Sequence, residues 1–419
     1  VSNFSKENEL SHLFRSEYTK MTAVLCRHFG LVNLEIAEDI VSDAFLKAAE
    51  YWGVNGIPDN PAAWLYTVAK NKAKDFIKRD TLFQSKRNTI KELSESFIAS
   101  DSLIERQYIA DSVLAMMFAV CDSHNSPESQ ICLALQILSG FSVEELAQAF
   151  LTKTETIKKR LYRARNNLRK IKFRINELNE QEIKARSETV LKVLYLLYNE
   201  GYYSKSNSQI IRKDLCAEAI RLALLLLENQ ITNTAQANAL MALMCYQSSR
   251  LDARMNEHGE PLRFDEQDRE RWDSSLIERG HYYMLEACHG NEMSSYHLEA
   301  SIAYWHTTLH KEKWNNILDL YDQLLQLAPT PPRTLNRFFA YGKVYGHEKA
   351  IEELEKTGLT QHEGWHELLG YLYASINKDR AIEHYQKAIN KKQSPAAKEQ
   401  LMKEIIRLRA KLPILRAPK

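Results

Sequence analysis

Glycine and proline are scarce in this chain, 13 and 10 residues of 419. Both break regular backbone. Their scarcity, the long runs rich in Ala, Leu, Glu and Lys, and the lack of apolar/polar alternation after residue 185 argue for an all-α protein. Cysteine is sparse as well. The six (Cys26, Cys121, Cys132, Cys216, Cys245 and Cys288) are scattered, with no C-x-x-C pair, so neither a zinc ribbon nor a dithiol redox site is expected. Each stands in an apolar-periodic segment and reads as a buried small hydrophobe in a reducing compartment. No run approaches the roughly 18 apolar residues of a membrane span; the longest, around Leu222 to Leu227, is far shorter. Phe4 to Leu10 is polar and mixed in charge, unlike a signal peptide. A cytoplasmic protein without membrane contact is expected. Gly-rich phosphate loops and nucleophile elbows are missing too, leaving an enzyme little support and no cofactor expected. Net charge is nearly absent, +2, so any strong positive field must be local.

It is local between Ser142 and Arg174. Ser142 and Glu145 form a capping box that opens a short helix carrying Val143, Leu146, Ala147 and Phe150. A second box, Thr152 to Glu155, opens another helix after a tight turn, the sequence form of a helix-turn-helix. That second helix keeps Ile157, Leu161, Ala164 and Leu168 on one face. Lys158, Lys159, Arg160, Arg163, Arg165, Arg169 and Lys170 crowd the rest. Such a run also fits a solvated surface face. The paired boxes and the turn favour contact with DNA phosphates.

Ahead of it, residues 1 to about 80 read as three helices. Leu10, Phe14, Tyr18, Met21, Leu25 and Phe29 line the first, closed by Gly30. The second, EIAEDIVSDAFLKAAEYW, carries Ile36, Ile40, Ala44 and Ala48 inward and shows acids at Glu38, Asp39 and Asp43. Asn60 caps the third, whose first residue is Pro61. It buries Leu65, Val68, Ala69, Phe76 and Ile77. Its other face presents Lys70, Asn71, Lys72, Lys74, Lys78 and Arg79 beside Trp64 and Tyr66. Aromatics among cations suit single-stranded nucleic acid, and core packing is the alternative for Trp64. Residues 81 to 105 are polar and Ser-rich, a linker.

The pieces EIAEDIVSDAFLKAAEYW, NPAAWLYTVAKNKAKDFIKR and SVEELAQAFLTKTETIKKRLYRARNNLR together resemble the extracytoplasmic-function sigma factors of bacterial RNA polymerase. The resemblance implies a region 2 domain (1–80), the linker (81–105) and a region 4 helix-turn-helix domain (106–175). It implies that Asp39, Asp43 and Phe45 face the clamp helices of the largest polymerase subunit. Trp64, Lys70, Asn71, Lys74, Lys78 and Arg79 would melt and read the −10 element. Thr156, Lys158, Lys159, Arg160, Arg163 and Arg165 would sit in the major groove at −35, near the beta flap. Ser42-Asp43 departs from the commoner Gln-Glu, and Lys153 stands where a helix cap is usual.

The chain continues for over half its length beyond 175. Residues 185–295 read as a helical extension. Residues 296–419 carry degenerate tetratricopeptide-like units, with Ile317, Tyr321 and Leu324 echoed by Ala350 and Leu354 and by Ala381, Tyr385 and Ala388; Leu369, Gly370 and Tyr373 match the first helix of a unit. This half resembles the sigma subgroup with such an extension, and a regulatory protein or an intramolecular contact is the expected occupant. His281, His289 and His297 recur every eight residues and His306-x-x-x-His310 has a metal-like spacing; without an obvious third ligand, core or surface roles are favoured. Asp265, Glu266 and Asp268 with Arg269, Arg271 and Trp272 fit a ligand site and a salt-bridged helix start equally. The alternative function is a one-component helix-turn-helix regulator; a pure repeat adaptor leaves the basic helix unexplained.

Overall fold

A computed structural model describes residues 2–83, 106–122, 124–150, 152–170, 180–202, 212–257, 262, 264–290, 293–392 and 395–410. Most of the expected linker and the segment 171–179 lie outside them. Among the described residues the chain is helical, with no sheet. It divides into two compact units, Val1–Leu196 and Leu197–Lys419.

The first unit contains α1 (Ser2–Phe29), α2 (Leu34–Asn55), α3 (Pro61–Phe83), α4 (Arg106–Val120), α5 (Pro127–Leu133, continued by a wider π turn to Leu138), α6 (Val143–Ala149), α7 (Thr154–Lys170) and most of α8 (Glu180–Tyr202). The helices stop and start where the sequence punctuates them. Gly30 leaves α1 with φ 77°, its N–H donating to the Cys26 carbonyl at 2.8 Å. Asn60 Oδ1 accepts the Ala63 N–H at 3.0 Å, and Ser126 Oγ accepts the Ser129 N–H at 3.4 Å ahead of Pro127. Both satisfy donors that a helix start leaves free.

Helix α1 packs against α2, α3 and α4. Its neighbour α2 offers Ala37, Val41, Ala44 and Ala48, all fully buried; small side chains three and four residues apart let the two axes approach closely. Ile36, expected inward, is only half-buried, and Phe45 and Trp52 complete the buried face instead. The segments expected as two domains, 1–80 and 106–175, share this one unit.

The second unit begins with the end of α8 and continues through α9 (Lys213–Leu227), α10 (Ala235–Ser248), three short 3-10 turns, α11 (Ser274–Ala287) and α12 (Ser295–Thr307). Then come α13 (Lys313–Leu327), α14 (Pro331–Tyr345), α15 (His347–Glu355), α16 (Glu363–Tyr373), α17 (Lys378–Lys391) and α18 (Pro395–Arg409). Helix α10, buried along nearly its whole length, packs on both α11 and α12. The border expected at 295/296 therefore lies inside one unit. From α12 onward each helix packs on its chain neighbour, an arrangement built from successive antiparallel pairs. Of the repeat positions, Ile317, Leu324, Ala350, Leu354, Ala381, Tyr385 and Ala388 are buried, whereas Tyr321 is half-buried.

Gly370 sets the spacing of the α16–α17 pair. A Cβ there would lie 2.7 Å from the Tyr385 ring carbons. Gly370→Ala is expected to destabilise the second unit by about 1–3 kcal/mol through overpacking; thermal unfolding of the full chain measures it, and an unchanged transition would contradict the close approach.

Five cysteines are buried, and burial pushes the thiols of Cys121, Cys216 and Cys245 up to about 12. Cys288 is exposed, contrary to expectation. It sits at the C-cap of α11, just past the buried Ala287.

Candidate nucleic-acid interface

Helices α6 and α7 pack together and are joined by a short turn. The first capping box forms as its residues dictate: Glu145 N–H donates to Ser142 Oγ at 3.1 Å, and Ser142 N–H donates to Glu145 Oε2 at 2.8 Å. The second is shifted. Helix α7 opens at Thr154, and the Lys153 carbonyl accepts the Thr156 N–H at 2.8 Å. Thr152 thus stands one residue too early to cap it. The apolar stripe Ile157, Leu161, Ala164 and Leu168 is buried against the rest of the unit.

That leaves the cations on two different faces. Thr156, Lys158, Lys159 and Arg163 are exposed, with Tyr162 among them at 67%. Tyr162 was not singled out from sequence; its place off the apolar stripe of a basic helix was the available signal. Arg160 is half-buried, its guanidinium 3.7 Å from Cys132 Sγ. Arg165 is engaged inside the unit. Its two terminal nitrogens donate to the Glu38 carboxylate at 2.6 and 2.8 Å, and Gln136 Oε1 accepts a further bond at 2.9 Å. This fork-on-carboxylate geometry is the strongest form of the pair. One turn on, Arg169 donates to Glu35. The acids of α2 therefore hold one edge of α7, and sequence spacing alone carries no trace of that pairing across more than a hundred residues.

On α3, Asn71 and Lys78 are exposed and Lys70 and Lys74 are half-buried. The Arg79 side chain lies outside the described residues. Lys72 bonds Asp43 of α2 at 2.6 Å, linking the basic face to the acidic one. Trp64 is half-buried, stacked with Tyr51 (centroids 5.7 Å apart) and tilted against Trp52. Tyr66, expected beside the basic face, is in the core with its hydroxyl 3.5 Å from Glu17. Burial, reinforced by the Glu17 charge, holds that phenol well above its ordinary range.

On α2, Asp39 is exposed and Asp43 is 57% exposed. Phe45, expected at the surface, is 5% exposed and meets the Phe14 ring edge-on at 5.0 Å. The next residue, Leu46, is the exposed apolar group of that turn. Phe45→Ala is expected to cost about 3–5 kcal/mol of stability. Leu46→Ala is expected to leave stability within about 0.5 kcal/mol. Parallel chemical denaturation of the two variants checks the contrast.

Several of the described histidines of the second unit have hydrogen-bond partners that fix them structurally. His281 bonds the Tyr246 hydroxyl at 2.9 Å, His297 Nε2 bonds the Ala287 carbonyl at 3.1 Å, and His310 Nδ1 accepts the Glu312 N–H at 3.3 Å. His362-Glu363-Gly364-Trp365-His366 spells H-E-x-x-H, a pattern that suits zinc when both histidines share a helix face. Here His362 stands outside α16 and caps it, accepting the Gly364 N–H at 3.1 Å, while His366 Nδ1 lies 3.0 Å from His384 Nδ1. Among the described residues no three potential ligands converge as a metal site. Asp268 and Asp273 act as caps, accepting the N–H groups of Glu270 and Leu276 at 3.0 and 3.1 Å.

Residues 13–82, which span α1 to α3, match the family Sigma-70 region 2. Residues 186–288, nearly all of the expected helical extension 185–295, match a family of unknown function (DUF6596). The ECF RNA polymerase sigma-E factor of Haemophilus influenzae is 25% identical over 162 residues, 37% of this chain and 82% of that protein. The uncharacterized protein R00370 of Rhizobium meliloti (strain 1021) is 30% identical over 374 residues, 85% of this chain and 88% of that one. No solved structure matches. No helix among the described residues is long and apolar enough to cross a membrane. The region 2 match and the distant sigma-E likeness support a sigma-factor role in transcription initiation. By its similarity along most of both sequences, the chain belongs to the family of the Rhizobium meliloti protein R00370.

Proposed function

We propose that this chain is an extracytoplasmic-function-type sigma factor that directs core RNA polymerase to specific promoters and has no chemistry of its own. The observation that carries the reading is the Sigma-70 region 2 match over α1 to α3, in the same compact unit as the basic helix α7. In this reading α2 meets the clamp helices of the largest subunit through Asp39 and Asp43, with Leu46 as the apolar contact. Helix α3 receives the opened −10 strand. Trp64 offers a ring for stacking, and Lys70, Asn71, Lys74, Lys78 and Arg79 meet phosphates and base edges. Helices α6 and α7 act as the helix-turn-helix of region 4, near the beta flap. Thr156, Lys158, Lys159 and Arg163 lie toward the −35 duplex, and Arg160 and Arg165 join on rearrangement.

The second unit is the regulatory part, a tetratricopeptide-like docking platform for a protein partner. Its buried repeat positions and the Gly370–Tyr385 contact support that reading. A simple one-component regulator needs no region 2.

Run-off transcription with purified core polymerase, with and without the full chain, tests the function. Promoter-dependent transcripts are expected only with it. Transcription indifferent to its presence, together with no retention of the chain on core enzyme, would sink the reading.

A further inference from the structure

A line of half-buried rings crosses the second unit, from Phe264 in the segment before α11 to Tyr371 on α16. Phe264 meets His306 at 4.9 Å between centroids, His306 meets Trp314 at 5.5 Å, Trp314 meets Phe339 at 5.7 Å and Phe339 meets Tyr371 at 5.0 Å. Phe264 lies in a 3-10 turn, and the other four residues come from α12, α13, α14 and α16. Four cations lie on their faces. Arg250 sits 5.1 Å from the Phe264 ring and Arg269 4.8 Å from Trp272. Lys313 lies 5.3 Å from Phe264 and 5.4 Å from Trp314. Lys343 lies 5.3 Å from Phe339 and 5.5 Å from Tyr371.

Among the described residues the charge is not balanced: Asp265, 3.3 Å from Lys343, is the one carboxylate in ion-pair reach of these four cations. Arg250 is engaged by the Tyr202 hydroxyl at 2.6 Å, and Arg269 by carbonyls at the end of α12, Thr307 at 3.3 Å among them. Lys313 has ring contacts but no hydrogen-bond acceptor among the described residues. Around the same place, buried His306 Nδ1, Trp272 Nε1 and Gln267 Oε1 also have no partner. Desolvation, with Arg250 and Lys313 nearby, lowers the His306 imidazole to about 3, so it is neutral at pH 7. Desolvation, with Arg269 beside it, also pulls the Lys313 ammonium below its usual range. Gathering like charges away from water, with the Lys313 ammonium and the Trp272 N–H as open donors, costs stability unless an anion completes the set.

We propose that this track takes an extended acidic segment of a partner protein, its carboxylates on Lys313 and Lys343 and its apolar side chains against Trp314, Phe339 and Tyr371. The length of the track favours an extended chain over a compact metabolite. The rings favour peptide over nucleic acid. They pack largely edge-to-face, and cations lie over their faces, so stacked bases find little open ring. The proposal deepens the reading of the second unit as a docking platform and rests on it.

The test is binding of a short fluorescein-labelled peptide of alternating glutamate and leucine to the full chain, followed by anisotropy. The double variant Lys313→Gln/Lys343→Gln is expected to weaken binding at least about tenfold, the loss of charge-assisted hydrogen bonds. Its thermal transition should change little, because the uncompensated Lys313 charge is removed while the partly exposed Lys343–Asp265 pair is lost. The surface pair Lys356→Gln/Lys387→Gln should bind as the parent does. A glutamine version of the peptide and an oligothymidylate should bind weakly.

Absence of binding, binding indifferent to Lys313 and Lys343, or tighter oligothymidylate binding with the same lysine dependence would each overturn the assignment. So would a lowered thermal transition in the double variant with peptide affinity intact, the mark of a purely structural ladder. Should any of these occur while removal of residues 197–419 still changes promoter output, the acidic-peptide assignment fails and the docking reading stands.

Discussion

Replacing Lys158, Lys159 and Arg163 together by glutamine is expected to lower the affinity of the full chain for duplex promoter DNA by about a hundredfold near physiological salt, and to reduce the slope of log K against log salt by about 2–3. The expectation follows from placement. All three are exposed, off the buried stripe of α7, and the nearest acid, Glu155, holds Lys158 in a solvent-exposed pair at 3.2 Å. Such a pair contributes little in water, so the three ammonium and guanidinium groups are available to phosphates. Their loss should leave folding almost untouched, because Ile157, Leu161, Ala164 and Leu168 still seat the helix. Fluorescence anisotropy over a salt series reads both quantities. An unchanged slope would mean that this face of α7 does not meet DNA.

A stability effect as large as that of Phe45→Ala is expected at Arg186, the first residue of the segment matching the family of unknown function. Its guanidinium bonds the carboxylate of Asp122 at 2.7 Å, and that carboxylate is 3% exposed. Asp122 also accepts the His124 N–H at 2.9 Å and approaches His124 Nδ1 at 2.6 Å, while its carbonyl accepts Gln130 Nε2 at 2.7 Å. The pair thus joins the start of α8 to the corner between α4 and α5. Arg186→Leu leaves a carboxylate buried without its counter-charge, which is expected to cost about 3–5 kcal/mol. Adding Asp122→Asn to that variant should recover part of the loss, since the stranded charge is then gone. Urea denaturation of the single and double variants measures both. A double variant no better than the single would show that packing of the arginine stem, rather than charge, dominates.

Much of this molecule was legible in the residues, and what was hidden has a common cause. Caps and breakers act within a few residues, so Gly30, Asn60-Pro61 and the Ser142–Glu145 box could be placed from sequence. The stripe of α7 was readable because burial there repeats at three and four residues. Tyr66, expected beside the basic face, and Phe45, placed at the polymerase contact by the resemblance alone, are both buried, because neighbours far along the chain decide: Glu17 for one, Phe14 for the other. The α7 start moved by a residue because the Lys153 backbone, rather than the Thr152 hydroxyl, meets the first free N–H groups. Arg165 is the clearest case. As one cation in a run it carried the same promise as its neighbours, and its attachment to Glu38 and Gln136 depends entirely on long-range packing. The ring-and-lysine track of the second unit likewise joins residues from Arg250 to Tyr371 that share no local motif.

The Arg165–Glu38 and Arg169–Glu35 bonds give the free protein an internal acid that competes with phosphate for the same guanidinium groups. Added electrolyte weakens both rivals at once. If DNA is to win those two arginines, their contribution to the ionic-strength dependence largely cancels, and the protein should discriminate less sharply between dilute and concentrated salt than a count of basic residues on α7 would suggest.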